Sequence, residues 1–220
     1  MLEPIISTGN TKMGKVHNLS LPPITTCHNS NCARKCYAMK AFRMFKNTKE
    51  AWLNNLRAYR EDPYKFFDDV TAYIKKNKVS YFRWHVGGDI PDREYYMGLC
   101  LVASRCPETR FMVFTKYTEV VPLSRPDNLR VVASAWPNTN LDVSLKDHRI
   151  ELNNWYNIVK NHAPIAWMVP GKGDKSYATR AYNELRKKAS RKAKACSGRC
   201  DECFLCWDLG KKDGVVFEEH

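Results

Sequence analysis

Between residues 16 and 169 two hydrophobic periods take turns, and this alternation restricts the fold more than any other feature of the chain. Short runs rich in aromatic and β-branched residues read as strands: 79–86 (VSYFRWHV), 110–115 (RFMVFT), 129–135 (LRVVASA) and 164–169 (PIAWMV), with an opening strand around 16–21. Helical spacing fills the gaps. In 41–60 it is carried by Phe42, Phe45, Trp52, Leu56 and Tyr59. The next helix starts with Asp62 as N-cap and Pro63 at its first position, burying Phe66, Phe67, Val70, Tyr73 and Ile74. Further helices are expected at 92–105 and near 147–161. Strands that alternate with helices pair in parallel through right-handed crossovers. The expectation is an α/β fold, an incomplete (partial) βα barrel of mostly parallel strands with a cysteine-rich C-terminal extension. A flat doubly wound sheet is the alternative. Residues 1–180 would form the barrel, and 181–220 a basic helix and metal-binding extension packed on the same domain.

Nine cysteines lie in this 220-residue chain, seven of them in two tight groups. The first twenty residues lack the charged-then-apolar layout of a secretory signal, and no apolar run approaches the roughly 20 residues of a membrane span. The chain is therefore expected in the cytoplasm, where thiols stay reduced and clustered cysteines are better read as metal ligands than as disulfides. Cys196, Cys200, Cys203 and Cys206 can close around one centre, either tetrahedral zinc or a 4Fe-4S cubane. Zinc usually takes two separated pairs, so four successive ligands at gaps of two and three favour iron–sulfur. Cys27, Cys32 and Cys36 leave one coordination position open. They are either a structural site completed by Cys100, Cys106, His28 or a C-terminal cysteine, or a 4Fe-4S cluster with one iron kept free. Cys100 and Cys106, in the apolar run YYMGLCLVASRCP, otherwise read as plain core residues.

Ligands of parallel α/β folds gather at the carboxyl ends of the strands. Those ends here read Thr25-Thr26-Cys27, His85-Val86-Gly87-Gly88-Asp89, Thr115-Lys116-Tyr117, Ser134-Ala135-Trp136 and Val169-Pro170-Gly171. The three-cysteine loop thus shares a face with a glycine pair and with His85, Asp89 and Lys116, the candidate catalytic groups. Each has a plainer reading: His85 and Asp89 as strand-end hydrogen-bonding groups, Lys116 as a solvated rim lysine. Tyr37 and Trp207, beside ligand cysteines, would shield a cluster from water. Gly171-Lys172-Gly173 is too short for a phosphate-binding loop and reads as a turn.

The segments LSLPPITTCHNSNCARKCYA, FRWHVGGDI, FTKY and CSGRCDECFLCW resemble the phage "gene product 88" family over about residues 18–207. More distantly, the chain looks like the radical S-adenosylmethionine superfamily, which places a three-cysteine loop after the first strand of a partial βα barrel and a Gly-Gly-Glu motif after the second. That likeness implies a 4Fe-4S cluster on Cys27, Cys32 and Cys36. It also implies that Gly87, Gly88 and Asp89 meet the methionyl amino group of S-adenosylmethionine. The sequence departs from the superfamily in its cysteine spacing, four then three residues instead of three then two, and in carrying Asp89 for Glu. If the chain is viral, its place is the host cytoplasm.

Charge adds a second class of function. Lys and Arg number 36 against 23 Asp and Glu, a formal net charge of +13. Residues 186–199 hold seven cations and no acid, and read as a helix with a cationic stripe or as an ordinary solvated helix. A basic surface attracts polyanions such as DNA or RNA. Two classes follow: an iron–sulfur redox enzyme of radical S-adenosylmethionine type, acting on a nucleotide or nucleic acid and needing an electron donor, or a nucleic-acid-binding protein stapled by iron–sulfur or zinc.

Overall fold

Strand order decides between the two expected architectures. The computed structural model describes residues 2–11, 13–28, 32–33, 36–135, 148–169, 180, 183–184, 187 and 193–218. Within them β1 (His17–Leu19), β2 (Tyr81–Trp84), β3 (Arg110–Thr115), β4 (Leu129–Ala135), β5 (Ile165–Val169), β6 (Ala193–Ala195) and β7 (Gly214–Glu218) form one open sheet. Its order is β1-β2-β3-β4-β5-β7-β6, and every neighbouring pair is parallel. The first five strands add one after another on the same side, without the reversal of order that defines a doubly wound sheet. The fold is the α/β partial barrel, with five βα-type helices among the described residues: α1 (Tyr37–Met44), α2 (Lys46–Glu61), α3 (Pro63–Lys76), α4 (Arg93–Arg105) and α5 (His148–Val159).

The period-two alternation along the strands gives the sheet two unlike faces. Phe82 and Trp84 of β2, Phe111 and Val113 of β3, and Leu129 and Val131 of β4 pack with Leu56, Tyr59, Phe66, Phe67, Val70, Tyr95 and Leu99 from the helices. Ala133, Ala135, Ile165 and Trp167 continue that face against Trp155 and Val159 of α5. Trp84, Trp167, Tyr95, Phe66, Phe82 and Phe111 are fully buried, each contributing about 1.5–3 kcal/mol of burial. On the inner face Met112, Val132, Ala166 and Val215 meet Met13, Val16, Trp207 and Leu209, with Cys196, Cys200, Phe204 and Cys206 packed around them. The inner face is therefore covered by an N-terminal segment and by the cysteine-rich extension. No helix among the described residues is long and apolar enough to cross a membrane.

The Asp62 cap is present, its carboxylate accepting from Lys65 N at 2.9 Å, and Phe66, Phe67, Val70 and Ile74 are buried as the spacing requires. The helix expected over 41–60 is two helices. Phe45 takes an extended conformation (φ −113°, ψ 105°), which folds α1 back so that Phe42 stacks on Trp52, ring centres 6.1 Å apart. The basic helix expected from residue 186 is corrected at its far end: Ala193–Ala195 is strand β6, held by pairing with β7. The extension thus supplies two strands to the barrel sheet. Most of residues 186–192, together with Trp136 and Pro170 to Gly173, lie outside the described residues.

Candidate functional site

The loop that follows β1 is tied to the loop that follows β2 by a ladder of polar contacts. Ser20 Oγ accepts from Val86 N and Gly87 N, at 3.0 and 3.2 Å, and Leu21 N donates to Gly87 O. Thr26 Oγ1 donates to Pro22 O and accepts from Asp89 N. Two glycines make this approach possible. A Cβ on Gly87 would lie 2.3 Å from the Trp52 ring. Gly88 has φ +77°, and a Cβ there would come within 2.6 Å of Leu21 O.

Asp89 is buried at the centre of this arrangement. Its carboxylate accepts from Thr115 Oγ1 at 2.6 Å, Lys116 N at 2.8 Å and Ile90 N at 2.7 Å. Burial pushes its pKa above the ordinary carboxylate value, while Lys116, Thr115 and the two backbone donors oppose the rise. Lys116 is part-buried in the same place. Burial alone would lower its pKa, but Cys32, Asp89, Cys27 and Tyr37 reverse this and hold the ammonium above its ordinary value. Lys116 is thus half-buried beside the cysteine loop and feels its charges, which a fully solvated rim lysine would not. Cys27 is pushed up to about 11, by burial first and by Asp89 next, against the pull of Lys116. A thiol so raised is a poor nucleophile at neutral pH.

Around this centre, Cys36 is the N-cap residue of α1, and Tyr37 OH donates to Val86 O. His28 Nε2 bonds Ile90 O at 2.8 Å while its ring stacks on Tyr117 at 3.7 Å. Cys100 and Cys106 are buried in the helix-side core, which sets them aside as completing ligands of the three-cysteine loop. The structure therefore brings Cys27, Cys32, Asp89, Lys116 and the glycine pair together. Thr26, Thr115 and Ser20 join them; only their positions next to Cys27, Lys116 and the first strand hinted at this.

His85 does not join them. Its φ of +57° breaks the alternation that would put it on the Tyr81 and Arg83 face, and the ring turns toward α4, where Nε2 meets Tyr95 OH at 3.2 Å. Burial, with Arg83 adding to it, drops its pKa from 6.5 to about 3. A base lowered on folding contributes stability above its unfolded pKa and loses it as pH falls toward the folded value. The chain is therefore expected to lose on the order of 2–3 kcal/mol through this group between pH 6.5 and pH 4.5. His85→Asn, which tolerates positive φ, should flatten that part of the stability–pH curve in urea titrations; an unchanged slope contradicts the assignment.

The second cysteine group sits on the inner face. Cys196 follows β6, its N–H bonded to Val216 O, and two helical turns (Cys200–Cys203 and Leu205–Asp208) carry the others around Phe204, whose φ is +47°. Trp207 is buried, donates from Nε1 to Phe82 O at 3.3 Å and lies edge-on to Tyr81; Asp208 pairs with Arg110. Cys206 is pushed up to about 12 by burial, with Cys196, Cys200 and Cys203 adding and Arg83 opposing. Cys203 is exposed, and no disulfide joins any of the nine cysteines. Among the described residues no three His, Cys, Asp or Glu side chains are drawn together into a coordinating shell. Four cysteines within eleven residues are nonetheless a donor set of the kind that binds a thiophilic metal, and Cys196, Cys200 and Cys206 pack at one apolar cluster while Cys203 faces solvent. Val86 packs beside this group while its carbonyl takes the Tyr37 hydroxyl, so one loop separates the two cysteine groups.

An open parallel sheet with its polar loops gathered at the carboxyl edge defines the class: a partial-barrel α/β protein with a cysteine-bearing loop after its first strand. The Gene product 88 family model matches residues 4–209, and the chain belongs to that family. Comparisons with curated proteins and with solved structures give no match.

Proposed function

We propose that this chain is a cysteine-ligated iron–sulfur protein of the cytoplasm, working as a radical S-adenosylmethionine-like redox enzyme on a nucleotide or nucleic acid with an external electron donor. The observation that supports it is the convergence of Cys27 and Cys32 with Gly87, Gly88, Asp89 and Lys116 at the carboxyl edge of β1–β3. Cys27, Cys32 and Cys36 would hold one 4Fe-4S cluster, and Cys196, Cys200, Cys203 and Cys206 a second. When bound, such a cluster supplies one-electron reduction. The chain's own residues do the rest. On this reading Gly87, Gly88 and Asp89 would meet the methionyl amino group of S-adenosylmethionine, and Lys116 would offset thiolate charge. The experiment is to add S-adenosylmethionine to the anaerobically reduced protein. A changed electron paramagnetic resonance signal and formation of 5′-deoxyadenosine are expected; a protein that takes up iron yet shows neither is not an enzyme of this type.

A second reading, a nucleic-acid-binding protein with a structural metal, draws on a different observation. A cavity of about 240 Å³ at the amino edge of β5 and β7 is lined by Lys160, Lys211, Lys212 and Tyr156, with Asp213 as its one acid. Lysines beside an aromatic ring suit a phosphate backbone and its bases, and the net +13 adds long-range attraction. On this reading, affinity for a single-stranded oligonucleotide falls steeply with salt and falls again in Lys211→Glu.

A further inference from the structure

We propose that the corner between α1 and α2 is a single-strand clamp: the ring of Phe45 stacks on an unpaired base while Lys40, Arg43 and Lys46 hold the flanking phosphates. This narrows the nucleotide or nucleic acid substrate of the reading above to a single-stranded nucleic acid, and rests on that reading.

Met44 and Phe45 are exposed at 62% and 57%, and among the described residues they are the one adjacent pair of large apolar side chains left in solvent. The fold does not need them there. Phe45 ends α1 in an extended conformation open to any residue, so a polar side chain would turn the corner as well. Among the described residues no ring stacks on Phe45, and it belongs to none of the buried clusters. Its neighbour Phe42, by contrast, is taken up by Trp52, whose ring in turn lies against Gly87. The corner is thus rooted on the glycine loop of the candidate site.

Its charge names the kind of partner. Lys40, Arg43, Lys46 and Lys49 are all exposed, against one acid, Glu50. Glu50 lies 3.8 Å from Lys46 with both side chains in water, and such a pair neutralises little. Tyr37, Lys40 and Met44 recur at i, i+3 and i+7 on the exposed face of α1, a stripe about 10 Å long. It runs from the site, where Tyr37 OH donates to Val86 O, out to the corner. A bilayer would have to take the Lys40 charge between two apolar side chains, whereas membrane-surface helices keep their cations on the opposite face. A duplex hides its base faces within the stack. A single strand offers phosphates and free base faces in alternation, which matches cations interleaved with rings.

The test is the fluorescence anisotropy of a labelled oligothymidylate titrated with the full chain over a series of salt concentrations. Phe45→Ala is expected to weaken binding about 5–100-fold, the loss of one stacked base. Phe45→Leu should weaken it too, because leucine keeps apolar area but has no ring face. The double substitution Arg43→Gln with Lys46→Gln should flatten the slope of log affinity against log salt by about 1.4, the share of two single-strand phosphate contacts. The same oligomer annealed into a duplex should bind more weakly and be indifferent to Phe45→Ala. Urea midpoints should match the parent's, since the altered side chains lie in solvent. Parent-like affinity in Phe45→Ala or in Phe45→Leu overturns the stacking and the clamp with it. If Phe45→Ala lowers affinity and midpoint together, the double substitution decides: a flattened salt slope supports the clamp, and an unchanged slope overturns it. Phosphatidylserine vesicles that displace the oligomer and still bind Phe45→Leu also overturn it, in favour of a membrane surface. A parent chain that binds no oligomer refutes the nucleic-acid reading and the clamp together. A binding parent with indifferent corner variants refutes the clamp alone, and a loss in Lys211→Glu would then place the strand at the lysine cavity.

Discussion

Gly88→Val is expected to cost about 3–5 kcal/mol and to unfasten the cysteine loop. Two costs combine. The position has φ +77°, where a β-branched residue is strained by roughly 1–3 kcal/mol. The added carbons would also run into Leu21 O and Thr26 Oγ1, at 2.6 and 2.7 Å from the first of them, and backbone atoms cannot step aside cheaply. Against a total stability of about 5–15 kcal/mol this is a large share. Because Thr26 Oγ1 is the acceptor of Asp89 N, the same substitution should expose Cys27, and its alkylation in the metal-free protein should speed up in parallel with the lowered urea midpoint. A normal midpoint with unchanged Cys27 reactivity would show that the loop is not clamped as described.

Cys206→Ser carries the other large effect, and its size depends on metal. In the chelated protein the change is expected to move stability by no more than about 2 kcal/mol, the cost of placing a hydroxyl in an apolar site. In the metal-loaded protein it should remove several kcal/mol, because binding energy at a thiolate site is folding energy. Urea titrations of parent and variant, each with and without chelator, give the comparison. Equal losses in both states would mean that Cys206 is a packing residue beside Trp207 and nothing more.

The barrel was legible because its strands carry their own signal. RFMVFT and LRVVASA are short, mostly apolar runs bounded by turn residues, and β3 and β4 occupy those residues. β6 and β7 were not legible. Ala193-Lys194-Ala195 has helix-forming side chains, and only its pairing with β7 makes it a strand. The break at Phe45 was likewise invisible, since the helical spacing of Phe42, Phe45 and Trp52 continues through it.

At the site, the rule that ligands gather at strand ends placed Asp89, Lys116 and the cysteine loop together before any coordinates. It misplaced His85, because a single left-handed residue redirects a side chain and no pattern announces it.

The central claim is that sulfur from both ends of the chain holds iron. Anaerobic purification followed by iron and acid-labile sulfide analysis measures it directly. The account predicts a brown protein with about four irons per chain for one cubane, or about eight for two, and sulfide in equal number. A colourless protein that carries zinc, or no metal, would contradict it.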